Sequence, residues 1–61
     1  MNSTQAIELI KQGAELVVQS GTGAYYLVHS SFRNGMRKVS SVTGSAIMNK
    51  TGIRYATLRV I

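Results

Sequence analysis

Two segments with helical spacing, each followed by a glycine, enclose a central stretch of short β-branched and aromatic runs. Apolar residues recur at helical spacing over residues 4–12, and Gly13 stands where a helix commonly ends. A second helix is predicted over about residues 42–50 with Gly52 at its end, although Gly44 inside it costs about 1 kcal/mol relative to alanine. The residues that can cap the two helices are Ser3 or Thr4 and Ser40 or Ser41.

Four segments are predicted to be β-strands. The first two are rich in β-branched and aromatic residues, the third follows the turn at Asn34-Gly35, and the fourth alternates between apolar and polar residues. Asn34-Gly35 separates two of them and is the dipeptide most typical of a two-residue hairpin turn. The sequence therefore predicts one domain over residues 1–61 with an α+β fold: a small antiparallel sheet of three to four strands, two helices on one face, and the order α-β-β-β-α-β. The predicted strands cover residues 15–20, 24–32, 36–40 and 53–61.

The predicted turn also assigns side chains to the two faces of the sheet. A two-residue loop at Asn34-Gly35 places residue 33 opposite 36 and residue 31 opposite 38, and side chains alternate along each strand. With both helices on the first face, the second face is expected to be uncovered, apolar at its middle and basic toward its edges. The first face, which is the predicted core, comprises Leu16, Val18, Tyr26, Val28, Phe32, Val39, Ala56, Leu58 and Val60, and the second comprises Val17, Tyr25, Leu27, His29, Arg33, Lys38, Tyr55, Thr57 and Arg59.

The charge of the chain is strongly asymmetric. Both carboxylate side chains, Glu8 and Glu15, lie near the start of the chain, where only Lys11 opposes them. All later charged residues are basic, and the net charge of +5 with a pI near 10.3 produces a positive potential that attracts phosphates or an acidic protein. Solubility is the alternative explanation, and cations near the end of the second helix also offset its dipole. The later cations are Arg33, Arg37, Lys38, Lys50, Arg54 and Arg59.

Composition excludes several classes of function. Cysteine is absent and His29 is the only histidine, so we expect neither a disulfide nor a metal site. The chain has one histidine and two glutamates, and both glutamates lie near the first helix. These residues do not supply a positioned acid/base pair, so we expect no enzyme and no cofactor. No apolar run approaches the roughly 20 residues that span a bilayer, which predicts a soluble, cytoplasmic protein without a membrane partner. Because so small a domain has a thin stability margin, we also expect a homo-oligomer.

Two functions of different class fit these features. In the first, the protein is a non-catalytic module that binds RNA or DNA through the basic hairpin and the uncovered sheet face, where rings stack on bases and cations neutralise phosphates. In the second, this face binds protein, as a homodimer or as a small phage or mobile-element type of inhibitor of an acidic partner such as a nucleic-acid enzyme. Tyr25 and Tyr55 could equally fill a core or a dimer interface. The candidate nucleic-acid-binding residues are Arg33, Arg37, Lys38, Arg54, Arg59, Tyr25, Tyr55 and His29, and the candidate interface residues are Tyr25, Leu27, Met36 and Tyr55.

The run "IELIKQGAELVVQSGTG", followed by a second strand and "NGMRKVS", resembles the small HicA-type mRNA interferases. The resemblance covers about residues 5–52 and implies a double-stranded-RNA-binding-like α-β-β-β-α layout. Gly23 occupies the position of that family's catalytic histidine, His29 lies elsewhere, and the C-terminal strand is additional. The resemblance therefore implies an RNA-compatible fold without the ribonuclease chemistry. The matching positions are Gly13, Glu15, Leu16, Val17, Gln19, Gly21, Thr22, Gly35 and Arg37.

Overall fold

The computed structural model describes all 61 residues and contains two α-helices, four short β-strands and one 3-10 helix. The predicted α+β fold and the order α-β-β-β-α-β are confirmed. Neither helix combines the length and the hydrophobicity that crossing a membrane requires. The elements are α1 (Ser3–Lys11), β1 (Glu15–Val18), β2 (Tyr25–Val28), β3 (Met36–Val39), α2 (Ser41–Thr51), the 3-10 helix (Tyr55–Thr57) and β4 (Arg59–Val60).

The four strands form one mixed sheet in the order β3-β2-β1-β4. β1 and β2 are antiparallel, as are β2 and β3, whereas β4 runs parallel to β1. The parallel pairing arises because α2 returns the chain from the end of β3 to the other edge of the sheet, where β4 starts at the same end as β1. The fourth strand is shorter than predicted, because Tyr55–Thr57 forms a 3-10 helix and only Arg59–Val60 pairs with β1.

Side-chain caps and glycines bound the two helices. Asn2, rather than either predicted residue, caps α1: Asn2 Oδ1 accepts the Gln5 backbone N–H at 2.8 Å, and Gln5 Oε1 accepts the Asn2 N–H at 3.0 Å. Ser40, one of the two predicted residues, caps α2 by accepting the Thr43 N–H at 3.2 Å. Gly52 ends α2 as predicted, with a φ of 76°. Both helices are therefore delimited by signals that lie within a few residues of their ends.

The connection between β2 and β3 differs from the predicted two-residue turn. Residues 29–35 form a loop, held by backbone hydrogen bonds from the His29 N–H to the Gly35 carbonyl (2.9 Å) and from the Gly35 N–H to the Phe32 carbonyl (3.0 Å). Gly35 has a φ of 79°, and no residue other than glycine has a positive φ. Asn34 therefore lacks the left-handed conformation that a type I′ turn requires, and the prediction of that turn is wrong.

The wider loop exchanges the predicted faces of β2. Lys38 pairs with Tyr26 rather than with residue 31, and a shift by an odd number of positions turns every side chain of a strand to the other face. Tyr25 and Leu27 therefore face the helices, whereas Tyr26 lies on the uncovered face, which reverses the prediction. Leu27 is fully buried, so the prediction that it anchors an interface is wrong.

The core lies between the sheet and the two helices. Val17 is the exception, because alternation along β1 turns it away from the helices, yet it is also fully buried. Its neighbours on the adjacent strands are Tyr26 and Arg59, and side chains of this length can cover a valine between them. Of the predicted core, Leu16, Val18, Val39 and Leu58 are confirmed and Phe32 packs against them, whereas Ala56 and Val60 are exposed and Tyr26 and Val28 lie on the uncovered face; Ala6, Leu27 and Ile47 complete the core.

Candidate nucleic-acid interface

Each of the two carboxylate side chains of the protein binds a cation. Glu8 contacts Lys11 at 3.6 Å on the surface of α1, and Glu15 accepts two hydrogen bonds from the Arg59 guanidinium, both at 3.1 Å. This bidentate pair joins β1 to β4 and holds the Arg59 side chain across the uncovered sheet face. Of the seven Lys and Arg residues, two are thus paired and five have no carboxylate partner, namely Arg33, Arg37, Lys38, Lys50 and Arg54.

Three of the unpaired cations, which we call the basic arm, lie on the β2–β3 loop and on the edge strand β3: Arg33, Arg37 and Lys38. Arg33 and Arg37 line one concavity of about 290 Å³ together with Ser31 and Asn34. No carboxylate lines this concavity. Two guanidinium groups beside a hydroxyl and an amide provide planar, charged donors that match the oxygens of a phosphate.

Strand β3 presents its two cations on opposite faces of the sheet. Lys38 pairs with Tyr26 on the uncovered face, and Arg37 pairs with Leu27 on the face that the helices cover. Because β3 is an edge strand, Arg37 remains exposed and also lines a groove of about 580 Å³ beside α1. Arg37 therefore belongs to both concave surfaces at this edge. The other residues of the groove are Met1, Thr4, Gln5, Glu8, Leu9 and Gln12.

Contacts within the β2–β3 loop hold the segment that carries Arg33 in place. Ser31 Oγ lies 2.7 Å from His29 Nδ1, and the Ser31 N–H donates to the same nitrogen at 3.2 Å. The His29 ring meets Phe32 edge-on with the ring centroids 6.2 Å apart, and Phe32 packs against the core. These contacts anchor the loop that carries Arg33. The predicted contact of His29 with nucleic acid stays a prediction.

The predicted aromatic residues do not join the basic arm on one face. The Tyr25 ring lies on the helix side against Gly44 and meets Tyr55 edge-on, with centroids 6.3 Å apart and an interplanar angle of 89°. Tyr55 belongs to the 3-10 helix rather than to a strand, and Arg59 is held by Glu15. The prediction of one sheet face that combines cations with Tyr25 and Tyr55 is therefore wrong, because the observed register turns Tyr25 toward the helices.

Lys50 and Arg54 form a separate basic group at the end of α2. Lys50 lies in the last turn of the helix, and Arg54 follows Gly52 in the chain. Cations at this end of a helix are stabilised by the partial negative charge of its free carbonyl groups. Lys50 thus has a structural explanation, whereas the contact of Arg54 with nucleic acid stays a prediction.

The uncovered sheet face has an apolar centre. Tyr26 is half-buried there, and its hydroxyl lies 3.4 Å from Gln19 Oε1. Val28, Met36 and Ile61 line a shallow groove of about 390 Å³ on this face. Of the predicted interface residues, only Met36 lies here, because the observed register turns Tyr25 and Leu27 toward the helices and Tyr55 lies in the 3-10 helix against Tyr25.

Ser31, Asn34 and Tyr26 are site residues that sequence analysis did not assign. The signal that could have revealed Ser31 and Asn34 is the polar run after His29, since Ser-Ser followed by Asn-Gly is typical of a loop rather than of a continuing strand. Tyr26 could be assigned only with the register, because adjacent tyrosines fit either face equally well.

Relatives give no independent indication of what the basic arm binds. Comparisons of the chain with protein-family models, with curated proteins and with solved structures find no match. The resemblance to the HicA-type mRNA interferases therefore stays a prediction, and function has to be argued from the chemistry of the site.

Proposed function

We propose that the protein is a non-catalytic module that binds RNA or DNA in the cytoplasm through the basic arm. The observation that supports this proposal is the distribution of ion pairs. Both glutamates form ion pairs with other cations, Lys11 and Arg59, so neither forms an ion pair with Arg33, Arg37 or Lys38. Surface cations are commonly interspersed with carboxylates, and a cluster without them is the electrostatic footprint of a phosphate-binding surface.

The chemistry of the arm favours contact with the phosphate backbone. Arg33 and Arg37 can each donate two parallel hydrogen bonds to one phosphate group, whereas Lys38 provides a point charge on the other face of the strand. Each phosphate neutralised in this way releases counterions, so binding should weaken steeply as salt is added. With three contacts, the slope of log affinity against log salt is expected to be about −2 to −3.

The test compares two double variants that remove the same charge. Arg33→Ala with Arg37→Ala removes two guanidinium groups from the basic arm, and Lys50→Ala with Arg54→Ala removes two unpaired cations from the end of α2. Binding of labelled single- and double-stranded RNA and DNA is measured by fluorescence anisotropy at about 50 and about 200 mM salt.

If the basic arm is the site, the first variant reduces the magnitude of the salt slope by about 2 and the second by less than about 1. Equal losses in the two variants would assign the binding to net charge rather than to the arm. Absence of binding by the wild-type protein to all four nucleic acids would refute the proposed function.

The uncovered sheet face supports a second candidate, a protein-binding module whose partner could be an acidic protein. The supporting observation is the apolar groove of Val28, Met36 and Ile61, which lies beside the paired Arg59. A matched test immobilises the wild-type protein, Met36→Lys in the groove and Val42→Lys at an exposed position of α2, and compares the proteins that each one retains. Proteins retained by the wild type and by Val42→Lys but lost with Met36→Lys would support this candidate; identical retention by all three baits would eliminate it.

A further inference from the structure

The two edges of the sheet carry opposite kinds of surface. β3 presents Arg37 and Lys38, neither of which has a carboxylate partner. β4, at the other edge, carries Arg59, whose charge is matched by the bidentate contact with Glu15. Unpaired charges on an edge strand oppose its pairing with another strand, and a neutralised edge has no such protection. No unpaired charge therefore opposes the addition of another strand at β4, whereas Arg37 and Lys38 oppose it at β3.

One residue of β4 has a backbone N–H and C=O that point away from the sheet. The Ile61 N–H donates to the Val18 carbonyl and the Ser20 N–H donates to the Ile61 carbonyl, both at 2.9 Å, while Val60 stands opposite Val18 in the register. In a parallel ladder the residue opposite the bonded one turns its own N–H and C=O to the other side. Val60 therefore directs a donor and an acceptor outward from the edge.

The side chains at this edge are apolar and accessible. Val60 is 62% exposed and Ile61 is 39% exposed. On the helix side, Tyr55 is 57% exposed and contacts Tyr25. Tyr25 and Val60 both stand opposite Val18, on its two sides, so these rings lie in the same row of the sheet as Val60. A strand edge with free backbone groups and exposed apolar side chains is a template for strand addition.

We propose that β4 is a self-association edge, at which a second copy of this chain adds its own β4 antiparallel about a two-fold axis at Val60. The occupant is a second copy because one residue supplies both halves of the contact: each Val60 donates its N–H to the other Val60 and accepts in return, as an isologous interface requires. In this register Arg59 lies opposite Ile61 of the second copy, so no like charges meet. The same operation at β3 would bring unpaired cations together.

The extent of the edge sets the strength of the association. A standard interface removes about 800 Å² from each partner, which is about a fifth of the 4026 Å² surface of this domain. A two-residue strand with its flanking side chains buries less than this, so the dimer is expected to be weak, with a Kd of about 0.1–1 mM. This inference does not depend on nucleic-acid binding, which it leaves at the opposite edge of the sheet.

The experiment is sedimentation equilibrium of the full chain from about 10 μM to about 1 mM. The wild-type mass is expected to rise from that of a monomer toward that of a dimer. Val60→Lys places two ammonium groups together at the two-fold axis and should keep the protein monomeric, whereas Val42→Lys adds the same charge at a 74% exposed site on α2 and should not. A wild-type mass that stays monomeric throughout, or equal self-association of the two variants, would overturn the proposal.

A second variant tests the backbone contact. Val60→Pro removes the outward N–H but leaves the bonds between β1 and β4 intact, because Val60 does not supply them. Circular dichroism should report an unchanged fold while the dimer is lost. A folded Val60→Pro protein that dimerises like the wild type would exclude pairing at this residue.

Discussion

The ring of Tyr25 packs so closely on Gly44 that a β-carbon at residue 44 would lie 2.6 Å from Tyr25 Cδ2 and 2.7 Å from Tyr25 Cγ. Real β-carbons do not approach other atoms so closely, so this contact requires glycine, which has no side chain, at residue 44. The contact lies in the first turn of α2 and also positions Tyr25 edge-on to Tyr55. A glycine that weakens the helix locally thus permits the sheet and α2 to approach each other.

Gly44→Ala is therefore expected to destabilise the protein although alanine is the better helix former. The helix gains about 1 kcal/mol in propensity, but overpacking against a half-buried ring costs about 1–3 kcal/mol. We expect a net decrease of the unfolding free energy of about 1 kcal/mol, or about 4–8 °C in Tm, measured by thermal and urea denaturation. Ser45→Ala, at the next and exposed position of α2, is the control and should not lower the Tm. A Gly44→Ala protein that is more stable than the wild type would contradict this account of the contact.

Val17 provides a prediction about the uncovered sheet face. Its side chain is fully buried although no helix covers it, so Val17→Ala should lower the unfolding free energy by about 1–3 kcal/mol. Val60→Ala makes the same chemical change at a site that is 62% exposed and should alter it by less than about 0.5 kcal/mol. Urea denaturation at low micromolar concentration compares the two without a contribution from self-association. Equal losses would mean that Tyr26 and Arg59 do not shield Val17 from water.

The loop between β2 and β3 gives a prediction that separates the observed conformation from a type I′ turn. Gly35 has a φ of 79°, so Gly35→Ala should cost about 1–2 kcal/mol of unfolding free energy. Asn34 has no positive φ, so Asn34→Ala should cost less than about 0.5 kcal/mol. In a type I′ turn both positions would be strained by alanine. Chemical denaturation of the two single variants decides between these geometries.

The same loop explains how far the sequence could predict the fold. The order of elements and the helix ends at Gly13 and Gly52 depend on residues close in the chain and were predicted correctly, and the cap at Ser40 was one of two predicted residues. The faces of β2 depend on the register, which a single odd shift reverses. Adjacent Tyr25 and Tyr26 fit either face, so nothing local in the sequence could correct that error.

The candidate site was predicted in part for a similar reason. Arg33, Arg37 and Lys38 are close in the chain, and the structure keeps them at one end and edge of the sheet. The pairing of Glu15 with Arg59 joins residues that are 44 positions apart, through a parallel strand contact that the sequence did not predict. Composition alone therefore counted Arg59 as a free cation of the site. Long-range pairing decides which cations are available, and only the three-dimensional arrangement supplies it.

Freeing Arg59 tests which surface of the protein meets nucleic acid. Glu15→Gln and Glu8→Gln each remove one carboxylate and release one cation, Arg59 on the uncovered sheet face or Lys11 on α1. If the basic arm is the binding site, Glu8→Gln should raise the affinity at least as much as Glu15→Gln, because Glu8 lines the same groove as Arg37 whereas Glu15 lies with Arg59 on the uncovered face, and surface charges are screened over about 10 Å.

If nucleic acid instead binds the uncovered face, only Glu15→Gln adds a free guanidinium to the site. The Glu15→Gln protein would then bind nucleic acid more tightly, and with a steeper salt dependence, than the Glu8→Gln protein. The side chains of Glu15 and Arg59 are each about half exposed, so loss of this ion pair should lower the unfolding free energy by at most about 1 kcal/mol. The variant therefore stays folded for this comparison. Anisotropy titrations at two salt concentrations therefore separate the two surfaces while the three cations of the basic arm and the core residues stay unchanged.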